Sequence, residues 1–347
     1  MIRRTACLIA RGTDPYRNLA IEKHLMDTLP EETAILYLWQ NSHTIVVGRN
    51  QNPWYECKVD AFLESGGRIV RRLSGGGAVY HDLGNLNFTF IVPKTEFDVP
   101  KQLSVIRLAV GSFGLEAYHS GRNDLLIGDR KFSGNAFYKA GHSAYHHGTL
   151  LINCDMGVLG SYLTANRSKL QAHGVQSVAS RVVNLAALNP DVTVDALERE
   201  LYRAFTAVYQ HSPALLDEMM LDQRTLATIT AQFADPDWIY PESLPYTFTV
   251  DERFPWGSVT VKLLVENGVI RHAKLFTDAM EAGLFTLLEQ ALTGCPYLIS
   301  AINGRFHQKL ELMRDQQLLQ MAGDVSVLIC GRIRALDRAQ QDAGGDA

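Results

Sequence analysis

The chain has 347 residues, of which 46% are hydrophobic and 20% charged, and its 33 Lys+Arg against 37 Asp+Glu give a formal net charge of −4. This composition is typical of a globular protein and excludes disordered, collagen-like and low-complexity chains. The balance of charge excludes a global basic field for nucleic acid or an anionic membrane, so any anion-binding site has to be local.

Apolar runs and cysteines bear on the cellular location. No apolar run approaches the ~18–20 residues of a membrane span, and residues 1–10 lack the apolar core of a secretory signal. The five cysteines are widely scattered, with no Cys-x-x-Cys pair that would indicate structural zinc. We therefore expect free thiols in a reducing cytoplasm.

The first 240 residues are predicted to alternate between helices and short strands. Asp14 is a helix N-cap followed by Pro15, and Pro30 ends that helix. Apolar alternation and a Gly128-Asp129 turn predict strands and a tight hairpin. The predicted strands cover residues 34–39, 44–47, 68–71, 78–81, 85–92, 124–127, 130–133 and 145–153, and the later helices cover residues 101–113, 194–209 and 212–230.

The pattern restarts after residues 235–245, which hold three prolines and are a candidate linker. Strands are predicted at 246–250, 258–265 and 269–276, the last two joined by Asn267-Gly268, with helices at 281–292 and 308–321. The fold class is α+β. We expect a large domain at 1–240 with mixed or antiparallel sheets flanked by helices, a small α+β domain at 241–337, and a flexible tail at 338–347.

Residues 71–82 (Arg-Arg-Leu-Ser-Gly-Gly-Gly-Ala-Val-Tyr-His-Asp) are the most informative stretch. Three glycines between two predicted strands let a ligand approach the backbone, whose N–H groups can bind anionic oxygens. Two arginines beside the glycines add positive charge. A plain glycine-rich hairpin would also fit the triplet alone, and the stretch has neither the Walker nor the dinucleotide glycine spacing.

Taken with further segments, this stretch resembles the lipoate-binding signature of the lipoate–protein ligase A family, within the biotin/lipoate ligase superfamily. The resemblance spans about residues 10–335. It includes a Lys-x-x-Gly-x-Ala core beginning at Lys131. The other matching segments are residues 52–57, 121–124, 128–136, 146–151, 177–185 (an adenylate-binding loop in the family) and 251–257.

The resemblance implies a two-step ligase. Lipoate and Mg-ATP first give lipoyl-adenylate and pyrophosphate. The lipoyl group then passes to a specific lysine of an apo lipoyl domain, on an E2 subunit of a 2-oxoacid dehydrogenase complex, or of glycine-cleavage H protein. A cytoplasmic monomer without nucleic-acid or membrane partners is the accompanying expectation.

Lys131 is the predicted catalytic residue. A carboxylate attacking the α-phosphate of ATP is an anion approaching an anion, so the approach has to be neutralised and held in line. A compact ammonium can bridge both groups and then bind the carbonyl oxygen of the acyl-adenylate. Judged alone, Lys131 would also fit an exposed hairpin lysine; the matching motif favours the catalytic role.

The resemblance extends the site to other residues. Arg72 is expected to bind phosphate, Gly75–Gly77 to line the lipoyl and adenylate cleft, and His147 to contact the acyl chain or carbonyl. Asp124 could hold Mg²⁺ or, with Asn123, simply cap a turn. The predicted ligand-binding residues are Arg72, Ser74, Gly75, Gly76, Gly77, Ala78, Val79, Tyr80, Asn123, Asp124, Lys131 and His147.

Some neighbours of these residues have structural explanations. Arg71 points away from Arg72 if both lie on a strand, and Tyr80 could be a packed strand residue. His81 and His146 are expected to be hydrogen-bonded structural histidines. Cys154 is expected to be a buried small hydrophobe, so no cysteine is placed to act as a nucleophile.

The main alternative is a lipoyl or octanoyl transferase that uses preformed lipoyl-adenylate or a carrier and performs no ATP activation. A degenerate binding protein is less compatible with the intact motif at Lys131. The predicted C-terminal domain favours the ligase over simple octanoyltransferases, which work through a cysteine thioester, but does not exclude transferases that accept lipoyl-adenylate.

Overall fold

An eight-stranded sheet dominates the N-terminal part of the chain. The structure is a computed structural model that describes residues 1–120, 124–164, 182–240 and 244–344. The strands of this sheet are β1 (Arg4–Ile9), β2 (Thr33–Trp39), β6 (Asn85–Pro93), β7 (Tyr118–Ser120), β8 (Asp124–Ile127), β9 (Arg130–Ala140), β10 (Ser143–Leu151) and β11 (Ala214–Leu216). Their order is β11-β1-β2-β6-β10-β9-β8-β7, parallel around β1 and antiparallel from β2 to β7.

Helices cover both faces of this sheet. The helices of this part of the chain are α1 (Pro15–Asp27), α2 (Pro53–Glu56), α3 (Val59–Glu64), α4 (Val99–Gly111), α5 (Met156–Tyr162), α6 (Val194–Tyr209), α7 (Gln223–Ala234) and α8 (Pro236–Ile239). Alternate residues of β6 face opposite ways: Leu86, Phe88 and Phe90 pack with α4 and α6, whereas Ile91 packs with α1 and α7. This two-sided burial explains why every residue of β2 is buried and why all but Thr33 are apolar.

A smaller sheet, β4-β3-β5, is built from β3 (Thr44–Val47), β4 (Arg68–Arg71) and β5 (Val79–His81). Strand β3 pairs in parallel with β4 and antiparallel with β5. The segments that follow β3 and β4, and the one that precedes β5, therefore leave the sheet at the same end. These segments hold residues 48–52 and the glycine triplet.

Contacts divide the described residues into two compact units, and the boundary is not a single cut. The first unit comprises residues 1–47, 53–73 and 78–240. The second comprises residues 48–52 and 74–77 together with the chain beyond residue 240. Two short N-terminal segments thus belong structurally to the C-terminal unit.

The second unit contains a three-stranded antiparallel sheet in the order β12-β13-β14. Its elements are β12 (Phe248–Phe254), β13 (Gly257–Glu266), β14 (Val269–Thr277), α9 (Ala282–Leu292), α10 (Ile299–Leu310) and α11 (Gln316–Gly344). Alternate residues of β13, Val259, Val261 and Leu263, are buried against these helices. None of the helices in the described part of the chain has the length and hydrophobicity of a bilayer span.

The α+β prediction is confirmed, and most predicted elements agree to within two or three residues. One difference is the helix expected at 212–230. Residues 214–216 instead form β11 at the edge of the large sheet, paired with Ala6, Cys7 and Leu8 of β1. The helix begins only at Gln223, where the side chain of Asp222 accepts hydrogen bonds as the N-cap.

A second difference concerns the helix expected at 308–321. The chain forms two helices there, α10 and α11, because Asp315 caps a new helix by accepting from the N–H groups of Gln317 and Leu318. Helix α11 continues to Gly344, past residue 338, where the sequence predicts a flexible tail. The flexibility of that end stays a prediction.

Candidate functional site

Lys131 lies on a β-bulge in the predicted hairpin. Across the β8–β9 pair, Leu125 lies opposite Ser133, but Leu126 lies opposite Lys131. Phe132 is therefore an extra residue in β9, and its side chain is fully buried in the core. A bulge of this kind re-aims the neighbouring side chain, and here the neighbour is the predicted catalytic lysine.

The bulge also explains the Lys-x-x-Gly-x-Ala spacing. In a regular strand, residues three apart point to opposite faces; the extra residue brings Lys131 and Gly134 to the same face. A Cβ at Gly134 would lie 2.9 Å from the Nζ of Lys131 and 3.1 Å from its Cε. The side chain of Lys131 thus lies directly against Gly134, in the space that a Cβ there would occupy. Ala136, two residues further, shares that face and is also small.

The ammonium of Lys131 has an acidic partner. Its Nζ lies 2.7 Å from Oδ1 of Asp124, and the two side chains are 33% and 37% exposed. The main-chain oxygen of Lys131 accepts a 2.8 Å hydrogen bond from the N–H of Val183. Val182 and Val183, within the predicted adenylate-binding loop, therefore lie beside Lys131. Residues 177–181 of that loop lie outside the described residues.

His147 belongs to the same face of the large sheet. It lies directly opposite Ala136 on β9 and opposite Thr89 on β6. Its Nδ1 is 2.8 Å from Oε1 of Glu22, and that oxygen also accepts a 2.7 Å hydrogen bond from the Thr89 hydroxyl. The Thr89 hydroxyl in turn accepts from Nε1 of Trp39 at 3.1 Å. A buried polar chain therefore continues the face that carries Lys131.

The sequence interpretation missed Glu22. It lies on α1, three residues from both Leu19 and Leu25, and is only 2% exposed. A carboxylate on the apolar face of a helix needs a buried partner, and this spacing was the available signal. Its partner His147 is distant in sequence, so the pairing itself required the fold.

Polar atoms next to this face lack partners. Among the described residues, Oδ1 of Asn85, Nδ2 of Asn87 and Nε2 of His81 are buried without a hydrogen bond. Asn85 and Asn87 belong to the row of β6 residues that includes Thr89. Because buried polar groups are nearly always satisfied, these atoms indicate a position for a polar ligand group or water.

His81 and His146 are buried, hydrogen-bonded histidines, as the sequence predicts. Burial lowers the pKa of each to about 3. Nδ1 of His81 contacts the Asn41 amide, and His146 lies between the amides of Gln102 and Asn135. Because each pKa lies far below 7, neither imidazole takes up a proton near neutral pH, and neither is suited to shuttle protons.

The two arginines before the glycines are both buried and serve different elements. The guanidinium of Arg71 donates to the carbonyls of Trp238 and Ile239 at 2.8 and 2.5 Å, which ties β4 to α8. Arg72 donates to the carbonyl of Val46 at 3.1 Å. Burial lowers the pKa of Arg72 to about 10, partly offset by Tyr145 and Glu22, and the side chain stays cationic at neutral pH.

The glycine triplet is held within the second unit. A Cβ at Gly75 would lie 2.3 Å from the carbonyl oxygen of Ala279 and 2.5 Å from that of Met280. The N–H of Gly76 donates to the same Ala279 oxygen at 3.1 Å. The main-chain carbonyls of Ala279 and Met280 thus leave no room for a side chain at Gly75. The N–H of Gly76 already donates a hydrogen bond to a main-chain carbonyl.

The remaining predicted residues have simpler surroundings. Ser74 is fully buried, and Gly77 has open space where a Cβ would be. Ala78 precedes β5, and Val79 is its first residue. The hydroxyl of Tyr80, the next residue of β5, lies 3.1 Å from Nδ1 of His43. Burial raises the pKa of Tyr80 to about 12. This agrees with a packed strand residue, which is one of the two roles that the sequence allows for Tyr80.

Metal ligation has limited support in the described residues. No group of three or more His, Cys, Asp or Glu side chains that could hold a metal ion occurs there. Asp124 is present beside Lys131, and Asn123 lies outside the described residues. One carboxylate suits Mg²⁺ only where substrate phosphates and water supply the other ligands.

Comparison with known proteins agrees with this geometry. Residues 14–206 match the family model of the lipoyl protein ligase A/B catalytic domain, and residues 243–315 match the bacterial lipoate protein ligase C-terminus. The chain is 38% identical over 330 residues to a lipoate-protein ligase A from Psychrobacter cryohalolentis, covering 92% of this chain and 96% of that protein.

Solved structures show the same fold. The crystal structure of P. falciparum LipL1 in complex with lipoate has a TM-score of 0.82 and 27% identity, covering 93% of this chain and 99% of that one. A bi-partite lipoate protein ligase from Thermoplasma acidophilum, studied with its E2 lipoyl domain, has a TM-score of 0.60 at 21% identity, covering 72% of this chain and 100% of that one. A lipoate-protein ligase A bound with ATP has a TM-score of 0.59, also at 21% identity, covering 69% and 98%.

The catalytic-domain match and the sheet with its bulged lysine hairpin define an enzyme of the ligase class. The chain belongs to the lipoate–protein ligase A family.

Proposed function

We propose that this enzyme activates free lipoate with ATP and transfers the lipoyl group to a lysine of a lipoyl domain. The observation that carries the proposal is the ammonium of Lys131, which lies over Gly134 on the sheet face that continues to His147. A cation on an otherwise small-residue surface is suited to hold two anionic substrates together.

In the first step a carboxylate oxygen of lipoate attacks the α-phosphorus, and the bond from that phosphorus to the leaving pyrophosphate breaks. Lys131 offsets the repulsion between the two anions by binding an oxygen of each. Its present partner, Asp124, is more than a third exposed, and exposed pairs are worth at most about 1 kcal/mol. Exchange of Asp124 for substrate oxygens is therefore inexpensive.

In the second step the neutral amine of the acceptor lysine attacks the lipoyl carbonyl carbon, and the bond to AMP breaks. Lys131 then stabilises the negative charge that develops on the carbonyl oxygen. The amine loses its proton to solvent, because the activated ester needs no strong base. This agrees with His81 and His146, whose lowered pKa values make them poor proton carriers.

The other residues are assigned roles in binding. We assign the acyl chain to the face of His147, and the nucleotide and lipoyl carboxyl group to Arg72, Ser74, Gly75, Gly76, Gly77, Ala78, Val79, Tyr80, Asn123 and Asp124. Arg72 supports this as a cation that burial leaves charged. Asp124 is the residue that would hold Mg²⁺ together with phosphate oxygens; the metal would supply charge neutralisation.

The proposed acceptors are lipoyl domains of E2 subunits and glycine-cleavage H protein. The Thermoplasma relative, which was studied with its E2 lipoyl domain, supports the first. A monomeric state, a cytoplasmic location and domain limits at 1–240 and 241–337 belong to the same proposal. The five free cysteines, all buried, fit a reducing compartment.

The test is lipoate-dependent exchange of pyrophosphate into ATP by the purified protein, without an acceptor. Exchange is expected, because the chain is proposed to form the adenylate itself. No exchange, together with transfer from supplied lipoyl-adenylate to an apo lipoyl domain, would overturn ATP activation and leave the transferase alternative.

A further inference from the structure

The turn between β14 and α9 makes two hydrogen bonds with one residue from the N-terminal part of the chain, Asn50. The main-chain oxygen of Asn50 accepts a 2.9 Å hydrogen bond from the N–H of Thr277, and its Nδ2 donates to the carbonyl of Ala282 at 2.9 Å. Inside the turn, the Thr277 hydroxyl accepts from the N–H of Ala279 at 3.0 Å. Asn50 and Thr277 are 7% and 5% exposed, so these bonds are shielded from water.

The glycine loop rests on this turn. Gly76 donates to the Ala279 oxygen, and Gly75 lies against the Ala279 and Met280 carbonyls, closer than any side chain would allow. The N–H of Arg49 donates a 2.9 Å hydrogen bond to the carbonyl of Ser74, the residue before the glycines. The path from Asn50 to the glycines is therefore a continuous series of main-chain and side-chain hydrogen bonds within one structural unit.

We propose that Asn50, together with the turn at residues 277–282, is a positioning element that holds the glycine loop in its substrate-binding conformation. The inference rests on the proposed function, in which the glycine loop binds the acid and the nucleotide. Asn50 is a positioning residue in this scheme, because it acts through the turn. Loosening the turn lowers the fraction of protein whose loop is competent to bind, and apparent affinity falls by that fraction.

Two substitutions test this inference without altering the loop or Lys131. Asn50→Ala removes the bond to Ala282, and Thr277→Val removes the bond inside the turn while keeping the side-chain shape. In pyrophosphate exchange, each is expected to raise the KM for lipoate by about 3- to 10-fold, the factor expected for one lost hydrogen bond, with kcat within about twofold. The control is Asn303→Ala, which removes the acceptor of an exposed hydrogen bond from the Ser326 hydroxyl elsewhere in the same unit.

The split between KM and kcat separates positioning from plain destabilisation. A variant that is only less stable has fewer folded molecules, so its kcat falls while its KM stays at the wild-type value. That result, or an equal rise in KM for Asn303→Ala, would overturn the inference. If Asn50→Ala does not fold, Thr277→Val carries the test.

A failure of the proposed function is recognised separately, because the wild-type protein would then show no exchange. In that case, calorimetric titration with lipoate and with lipoyl-adenylate decides the inference. Weaker binding of either ligand by Thr277→Val than by the wild type supports positioning, and equal binding of both overturns it.

Discussion

Two pairs of polar side chains lie along one face of the large sheet, and they differ mainly in their access to water. Lys131 and Asp124 are about one-third exposed, whereas the side chains of His147 and Glu22 are 9% and 3% exposed. Separating the exposed pair costs little free energy, so the Lys131 ammonium can exchange Asp124 for substrate oxygens. The buried pair costs more free energy to break, because loss of Glu22 leaves the His147 ring and the Thr89 hydroxyl buried without their acceptor. The comparison predicts that mutations of the first pair act on catalysis and mutations of the second on stability.

The largest effect is expected for Lys131→Ala. Loss of a preorganised charge in the transition state commonly costs about 3–4 kcal/mol, or roughly 10²- to 10³-fold in rate. Lipoate-dependent pyrophosphate exchange measures the loss, and circular dichroism checks the fold. Lys139→Ala, an exposed lysine on the same strand, is the control and should retain activity. Near-normal exchange by Lys131→Ala would remove the lysine from the mechanism.

Glu22→Ala should give the largest loss of stability. It leaves the Thr89 hydroxyl and the His147 imidazole without their acceptor and opens a small cavity, which together cost about 2–4 kcal/mol. Asp124→Ala, the matched change in the exposed pair, should cost less than about 1 kcal/mol. Urea denaturation measures both free energies of unfolding. Equal losses would show that exposure does not distinguish the pairs.

Gly134→Ala tests whether the position of the Lys131 side chain matters for catalysis. The new methyl group would occupy the space of Lys131 Nζ and Cε, and the lysine can yield because its end is flexible. We expect little change in stability but about a 10- to 100-fold loss of exchange, as for a catalytic group displaced by about 1 Å. Gly111→Ala, where the added methyl meets nothing, should leave exchange unchanged and should not lower stability, because Gly111 lies in helix α4. Wild-type exchange by Gly134→Ala would show that the contact with Gly134 does not set the position that Lys131 needs for catalysis.

The last effect concerns acid stability, and it is absent at neutral pH. Burial lowers the pKa of His146 from 6.5 to about 3. Between these two pH values, the unfolded chain therefore binds a proton at this histidine and the folded chain does not. Stability is full above pH 6.5 and falls as the pH drops towards 3, by up to ~1.4 kcal/mol per pH unit for this group. His146→Gln should flatten the dependence of unfolding free energy on pH between 7 and 4.5. The exposed His142→Gln should leave the slope unchanged, and a slope unchanged by His146→Gln would show that this histidine does not titrate on unfolding.

Local signals in the sequence predicted the elements that carry the site. Asp14 and Pro15 predicted the start of α1, and Gly128 predicted the hairpin that holds Lys131, because caps and turns depend on a few adjacent residues. The bulge at Phe132 was not predicted, since the extra residue is defined by its pairing with β8.

Partners that are distant in the chain account for the rest. Asn50 and Ala282 meet only in the folded protein, and nothing near Asn50 in sequence indicates that contact. Residues 214–216 became a strand because β1 offered an open edge, which outweighed their helical periodicity. Tertiary context decided these positions.

The bulge at Phe132 has a consequence for how the length of this chain can vary. Added residues at the tip of the hairpin, between Ile127 and Arg130, lengthen the turn without changing the count from Lys131 to Gly134. One residue gained or lost between Lys131 and Gly134 would instead reverse the face on which the lysine lies. Among natural or engineered variants of this enzyme, length changes should therefore be tolerated at the tip and absent from the three-residue step beside it.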